Sequence, residues 1–117
     1  MTNVEYTFKF AYTSIVVHYN FNNSMTMWEF INHICHKVFI DFDIRNDLTI
    51  EIVEAGINTN QHHDAEMANA IQPSNISFRN FYINRSPENL SFYIRVKTCN
   101  NNVIRDVTNM QIVNNEN

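Results

Sequence analysis

The apolar residues of this chain change period at Thr26, and that switch limits the folds open to it. Before Thr26, Val4, Tyr6, Phe8, Phe10 and Tyr12 point one way, with Glu5, Thr7, Lys9 and Thr13 opposite. Ile15, Val17, Tyr19 and Phe21 then alternate with Val16, His18, Asn20 and Asn22. A period of two marks a half-buried strand, and the break at Thr13-Ser14 joins the two as a hairpin. After Thr26, the apolar residues Met27, Ile31, Ile34 and Val38 step by four, three and four along one helical face. Thr26-Met27-Trp28-Glu29 has the form of a capping box, in which Thr and Glu satisfy each other's free amides. Met25 and Phe30 flank it at the spacing of a hydrophobic staple. The pattern predicts a helix over residues 26–39.

Downstream, residues 41–47 mix acidic and apolar positions and are expected to form a loop. Leu48, Ile50 and Ile52 alternate with Thr49 and Glu51 as a third strand that ends at Ala55-Gly56. A polar loop follows over 58–63, and then a short helix over 65–71, closed by Pro73. Residues 77–82 fit a single helical turn, Ser86-Pro87-Glu88-Asn89 a further turn, and 90–96 a last strand. The order is strand, strand, helix, strand, irregular segment, strand, without an internal repeat. The expected organisation is one domain over 1–99 and a C-terminal tail over 100–117. The weak apolar spacing of Val103, Val107 and Met110 leaves the tail open to docking as a helix, adding a strand or remaining disordered.

Length and composition bound the function. One domain of 117 residues can bury a modest core unaided. With one Gly and two Pro, tight turns must rely on Asn and Asp. Asn supplies about one residue in six, which we read as codon bias. The formal charge is −4 and basic residues are scattered, so the clustered Lys and Arg that nucleic acid requires are missing, as they are for an acidic membrane surface. The first residues carry no basic segment leading into an apolar one, as a signal peptide would, and no apolar run approaches a membrane span. The expectation is a soluble protein that is not secreted. Cys35 and Cys99 then read as reduced thiols, and the Asn-x-Ser sequons at Asn22, Asn75, Asn84 and Asn89 as unmodified.

Several residues carry chemistry. His33, Cys35 and His36 lie on the predicted helix, and His62, His63, Asp64 and Glu66 follow in the polar loop. All are metal ligands in principle, but His33 and His36 share a face that Cys35 does not, and no His-Glu-x-x-His or Cys-x-x-Cys spacing occurs. A metal- or thiol-dependent activity built on His33, His36, His62, His63 and Cys35 is therefore the alternative reading. The plainer one is surface histidines beside a packed thiol. No catalytic residue and no cofactor are implied. Trp28, one position off the Met27–Ile31 face, covers the core edge or faces a partner. Tyr93, Arg95 and Lys97 are expected on the solvent side of the last strand, where Tyr and Arg serve as interface anchors. An open sheet edge would also permit homo-oligomerisation.

The order of elements resembles the ubiquitin-like β-grasp proteins, in which a sheet wraps one helix. Leu48-Thr-Ile-Glu-Ile-Val-Glu-Ala-Gly56 resembles the third strand of ubiquitin running into its Gly turn. Ser77-Phe-Arg-Asn-Phe-Tyr-Ile83 is similar to the short helical turn before the final strand, and residues 90–96 to that strand. The stretch Met27-Trp-Glu-Phe-Ile-Asn32 and the following Glu-Ile-Val-Glu-Ala-Gly are also similar to small ubiquitin-like proteins of giant DNA viruses. The resemblance implies an α+β fold with a mixed four- to five-stranded sheet on one main helix. It further implies an intracellular or virion-associated protein-interaction module, with Tyr93, Arg95, Lys97 and Trp28 as partner contacts. The last strand runs into Cys99-Asn-Asn-Asn102 with no Gly-Gly, so conjugation through the C-terminus is not expected.

Overall fold

The structure is a computed structural model and describes residues 3–55, 68–85 and 90–112. It is a small α+β fold built on a four-stranded mixed sheet and one main helix. The strands are β1 (Asn3–Phe10), β2 (Val16–Asn22), β3 (Thr49–Ala55) and β4 (Ser91–Lys97), in the spatial order β2-β1-β4-β3. β1 and β2 form the expected antiparallel hairpin, β4 runs parallel to β1, and β3 is antiparallel to β4. The first and last strands are thus neighbours at the centre of the sheet. The chain between β2 and β3 is taken up by the helix α1 (Met27–Phe42).

The cap at Thr26 forms as its sequence predicts. Its hydroxyl accepts the Glu29 amide at 3.1 Å, and the Glu29 carboxylate accepts the Thr26 amide at 3.2 Å. The helix runs past its expected end through Asp41 and Phe42. It closes at Asp43, which takes the left-handed conformation (φ 51°) and donates its amide to the Phe39 carbonyl. The inward face holds Met27, Phe30, Ile34 and Val38. It meets the inward residues of the sheet in a core rich in rings, with Phe8 and Phe92 stacked at 5.1 Å. Phe21, Phe30 and Phe78 lie mutually 4.8 Å apart. At the edge of the sheet the Tyr19 phenol donates to Asp41 at 3.1 Å, tying β2 to the last turn of α1.

Phe78 belongs to the one-turn helix α2 (Phe78–Phe81), capped by the Ser77 hydroxyl. The expected helix before it does not form where the chain is described. Residues 68–71 are not helical, and the Ile71 amide donates to the Ile52 carbonyl of β3 at 2.9 Å. An amide given to a sheet edge is not free for a helical turn, and Pro73 disfavours helix at Gln72. The 58–63 loop, residues 65–67 of that helix, Gly56 and the 86–89 turn lie outside the described residues.

Asp43 and Asn101 (φ 64°) adopt positive φ, as an Asn- and Asp-based turn chemistry predicts. Tyr12 (φ 66°), in the β1–β2 turn, does not fit it. A left-handed Tyr costs roughly 1–2 kcal/mol. The Arg105 guanidinium sits over its ring at 4.8 Å, an interaction of similar size. Arg105 belongs to the C-terminal stretch, which doubles back at residues 98–102. Thr98 donates to Asn102 at 2.9 Å, and Ile104 to Val96 at 2.8 Å, along the part of β4 that β1 does not reach. A 3₁₀ turn (Val107–Asn109) follows, and Met110 enters the core with 1% exposure. The backbone is tied to the α1–β3 connection by Arg45 N to Met110 O (2.9 Å) and Ile112 N to Asp43 O (2.8 Å).

Met110→Ala should therefore cost about 2–5 kcal/mol, whereas Ile112→Ala, at a position 58% exposed, should stay within about 0.5 kcal/mol of the parent. Urea unfolding checks both. Equal, small effects would mean that the C-terminal stretch contributes no packing.

Candidate interaction surfaces

The first turn of α1 explains where Trp28 is held. A helix start leaves amides without intrahelical partners. Here Met27 donates to the Ile76 carbonyl at 2.8 Å, and Trp28 to the Ser74 carbonyl at 3.0 Å. The 74–78 segment returns the contact, with Phe78 N to Met25 O at 2.7 Å. The Trp28 backbone is pinned while its side chain is 57% exposed. Phe30 takes the core position in that turn, and Trp28 sits outside it.

Trp28, Asn32, Cys35 and Phe39 follow one another at helical spacing and line an open groove with Met25 and Glu29. Past Phe39, the exposed Ile40 (61%) and Ile112 border the next hollow, with His36, Asp43 and Asn46 beside them. Their place there was not legible in sequence. Ile40 lies beyond the end expected for the helix, and Ile112 arrives from the tail.

The outer face of β4 differs from its expectation. Tyr93 and Arg95 alternate out of the core as predicted, but they are 4% and 3% exposed. Tyr93 packs in a second small cluster with Ala11, Val53 and Ala55, against which Tyr12 and Ala68 lie. Arg95 donates through Nε to Glu51 Oε1 at 3.0 Å and through Nη1 to the Ala68 carbonyl at 2.6 Å. Lys97 Nζ sits 3.2 Å from the same Glu51 oxygen. Alternation identifies two faces of a strand but does not say whether a distant segment covers the second. Here Ala68 lies against it, with Arg95 as the tie. Of the predicted contact residues, Trp28, on α1, is exposed and Lys97, at the end of β4, is partly so.

Among the chemically active side chains, the Cys35 thiol is half-buried and 3.6 Å from the Ile50 carbonyl, to which it donates. Burial pushes it up to about 11, away from the thiolate a nucleophile requires. The His33 ring lies 3.4 Å from the Asn20 carbonyl, so that Nε2–H donates to it. No three His, Cys, Asp or Glu side chains converge on a metal-sized site among the described residues, and His62 and His63 lie outside them. Also among the described residues, no helix is long and apolar enough to cross a membrane.

Compared with protein-family models, curated proteins and solved structures, the chain matches none.

The Cys35 environment makes a pH prediction. A thiol whose folded pKa lies above its ordinary 9.0 favours the folded state below pH 9 and loses that contribution as pH rises toward 11. Cys35→Ala should flatten the decline in melting temperature over that window. Iodoacetamide at pH 8 should label exposed Cys99 well before Cys35. Equal labelling of the two thiols in folded protein would contradict the burial argument.

Proposed function

We propose that this chain is a ubiquitin-like β-grasp module that acts by binding another protein, as one subunit of a larger assembly, and not by catalysis. The sheet order β2-β1-β4-β3, with α1 between β2 and β3 and a short helical turn ahead of the last strand, supports the β-grasp reading. One observation carries the functional reading. A tryptophan whose backbone is fixed by the 74–78 segment turns its side chain out of the core, over a groove in which Met25, Cys35 and Phe39 sit among Glu29, Asn32, His33 and His36. Large apolar side chains grouped in this way on a small domain mark a protein contact. Trp is among the residues that most often dominate such contacts. The non-catalytic part of the proposal is supported by the Cys35 thiol, which burial holds in its neutral form.

The test is quantitative affinity capture from the native source, comparing the parent chain with Trp28→Ala and with Ile83→Ala, a change at an exposed isoleucine outside the groove. Trp28→Ala should lower recovery of a defined set of companions by at least about tenfold without a matching fall in melting temperature, while Ile83→Ala leaves the set intact. Companions retained by Trp28→Ala would sink the proposed surface.

A further inference from the structure

The sheet has two edges, and the chain treats them differently. In an antiparallel pair, successive residues turn their amide and carbonyl alternately toward the partner strand and away from it. Two contacts set the phase. Phe10 N donates to Ile15 O at 3.1 Å, and Ala11 N donates to Ile94 O at 3.0 Å. Even-numbered residues of β1 therefore face β2, and odd-numbered ones face β4. In the register that pairs Val4 with Phe21 and Phe8 with Val17, it is Val17, Tyr19 and Phe21 of β2 that face β1. Val16, His18 and Asn20 aim their backbone groups out of the sheet.

On β3 the same alternation sends Ile50, Ile52 and Glu54 outward, and the carbonyls of the first two are used. Ile52 accepts the Ile71 amide at 2.9 Å, and Ile50 accepts the Cys35 thiol at 3.6 Å. On β2 the Asn20 carbonyl takes the His33 ring and the Asn22 carbonyl takes the Met25 amide. Among the described residues, nothing hydrogen-bonds the outward amide and carbonyl of Val16 and His18, or the amide of Asn20. Open edges are commonly guarded by Lys, Pro, a bulge or an inward charge. The β2 sequence VVHYNFN contains no Lys, Pro, Gly or acidic residue, and its pairing with β1 proceeds without a bulge from Asn3↔Asn22 to Lys9↔Val16.

We infer that β2 pairs antiparallel with β2 of a second copy of this chain, joining two four-stranded sheets into one. An open edge offers alternating donors and acceptors, which only an extended backbone matches. A strand laid antiparallel on itself about a two-fold axis meets that pattern with its own. The charge of the edge favours a second copy over a charged peptide. The whole chain carries −4, yet β2 carries no formal charge, so two copies meet there without opposition and a basic or acidic peptide finds no counter-charge. In registers that align the outward residues, His18 faces His18 or Asn20 of the second copy, and either is acceptable to a neutral imidazole. On the β3 edge, by contrast, the chain at Ile71 lies against Ile52, where a pairing strand would have to sit. The contact is isologous and closes at two copies rather than continuing as a filament.

The test is light scattering coupled to size-exclusion chromatography over about a thousandfold concentration range, with amide hydrogen exchange at both ends of it. The mass should rise from one chain to two, and exchange at Val16, His18 and Asn20 should slow at least about tenfold at the high end. His18→Pro removes an amide that faces away from β1, so the hairpin ladder is retained while the outward donor is lost. Asn20→Lys leaves the backbone intact and puts a charge on the edge, and it serves if the proline variant fails to fold by circular dichroism. Either folded variant should raise the dimerisation midpoint at least about tenfold. A single-chain mass at every concentration would overturn the inference. So would a dimer that folded variants leave unchanged, or an edge whose exchange slows only when an unrelated extended peptide is added.

Discussion

The carbonyls of Ser74 and Ile76 accept the first two amides of α1, and most of the remaining architecture depends on that junction. The capping box satisfies the Glu29 amide and the amide of Thr26 itself, but local chemistry cannot reach the amides of Met27 and Trp28. A segment from almost fifty residues downstream supplies their acceptors. It brings Phe78 against Phe21 and Phe30, which closes one end of the ring cluster. A buried polar group without a partner costs more than a hydrogen bond gains. The junction is therefore an obligation of the helix start, and it determines the course of the connection between β3 and β4. It also immobilises the Trp28 backbone, so a large side chain is presented to solvent from a rigid base.

Arg95 has a corresponding role on the other side of the sheet. A guanidinium almost fully out of water needs its donors satisfied, and it obtains the Glu51 carboxylate from the neighbouring strand and the Ala68 carbonyl from the covering segment. Lys97 shares Glu51 at the wetter end of the group. A buried ion pair of this kind adds little net stability compared with apolar packing, because desolvation offsets the attraction. Its contribution is positional. A planar group with several donors can hold a strand and a strap in one arrangement, which a lysine at that site would not do. That segment also reaches the β3 edge at Ile52, while on β2, among the described residues, the outward amide and carbonyl of Val16 and His18 stay open.

Those parts of the fold that follow from local pattern were legible. Tyr6, Phe8 and Phe10, or Tyr19 and Phe21, alternate because a pleated strand with one buried face requires it. Thr26 and Glu29 identify a helix start because only that spacing lets the pair exchange hydrogen bonds. The helix end was less legible. Phe42 looks like part of a loop when read beside Asp41 and Asp43, and it is held in the last turn by Phe10, 4.7 Å away across the core. For Tyr12, turn composition pointed to Asn or Asp; the guanidinium that stacks on its ring comes from residue 105, beyond any local window. Of the candidate site, the helical placement of Trp28 was legible, but neither its exposure nor its apolar neighbours were.

The sequence by itself determined the order and period of the elements, the cap that starts α1 and the inward face of each strand, since each depends on backbone geometry over a few residues. Tertiary structure alone decided which outer surfaces are covered. Tyr93 and Arg95 lie on the face that alternation assigns to solvent, and they are buried there in contact with Ala68, distant in the chain. Trp28 is exposed because Phe30 fills the core beneath its turn. Met110 is buried because the Arg45 amide and the Asp43 carbonyl draw the chain end onto the domain. Burial of a second face depends on contacts between residues far apart in the chain, and periodicity carries no information about those.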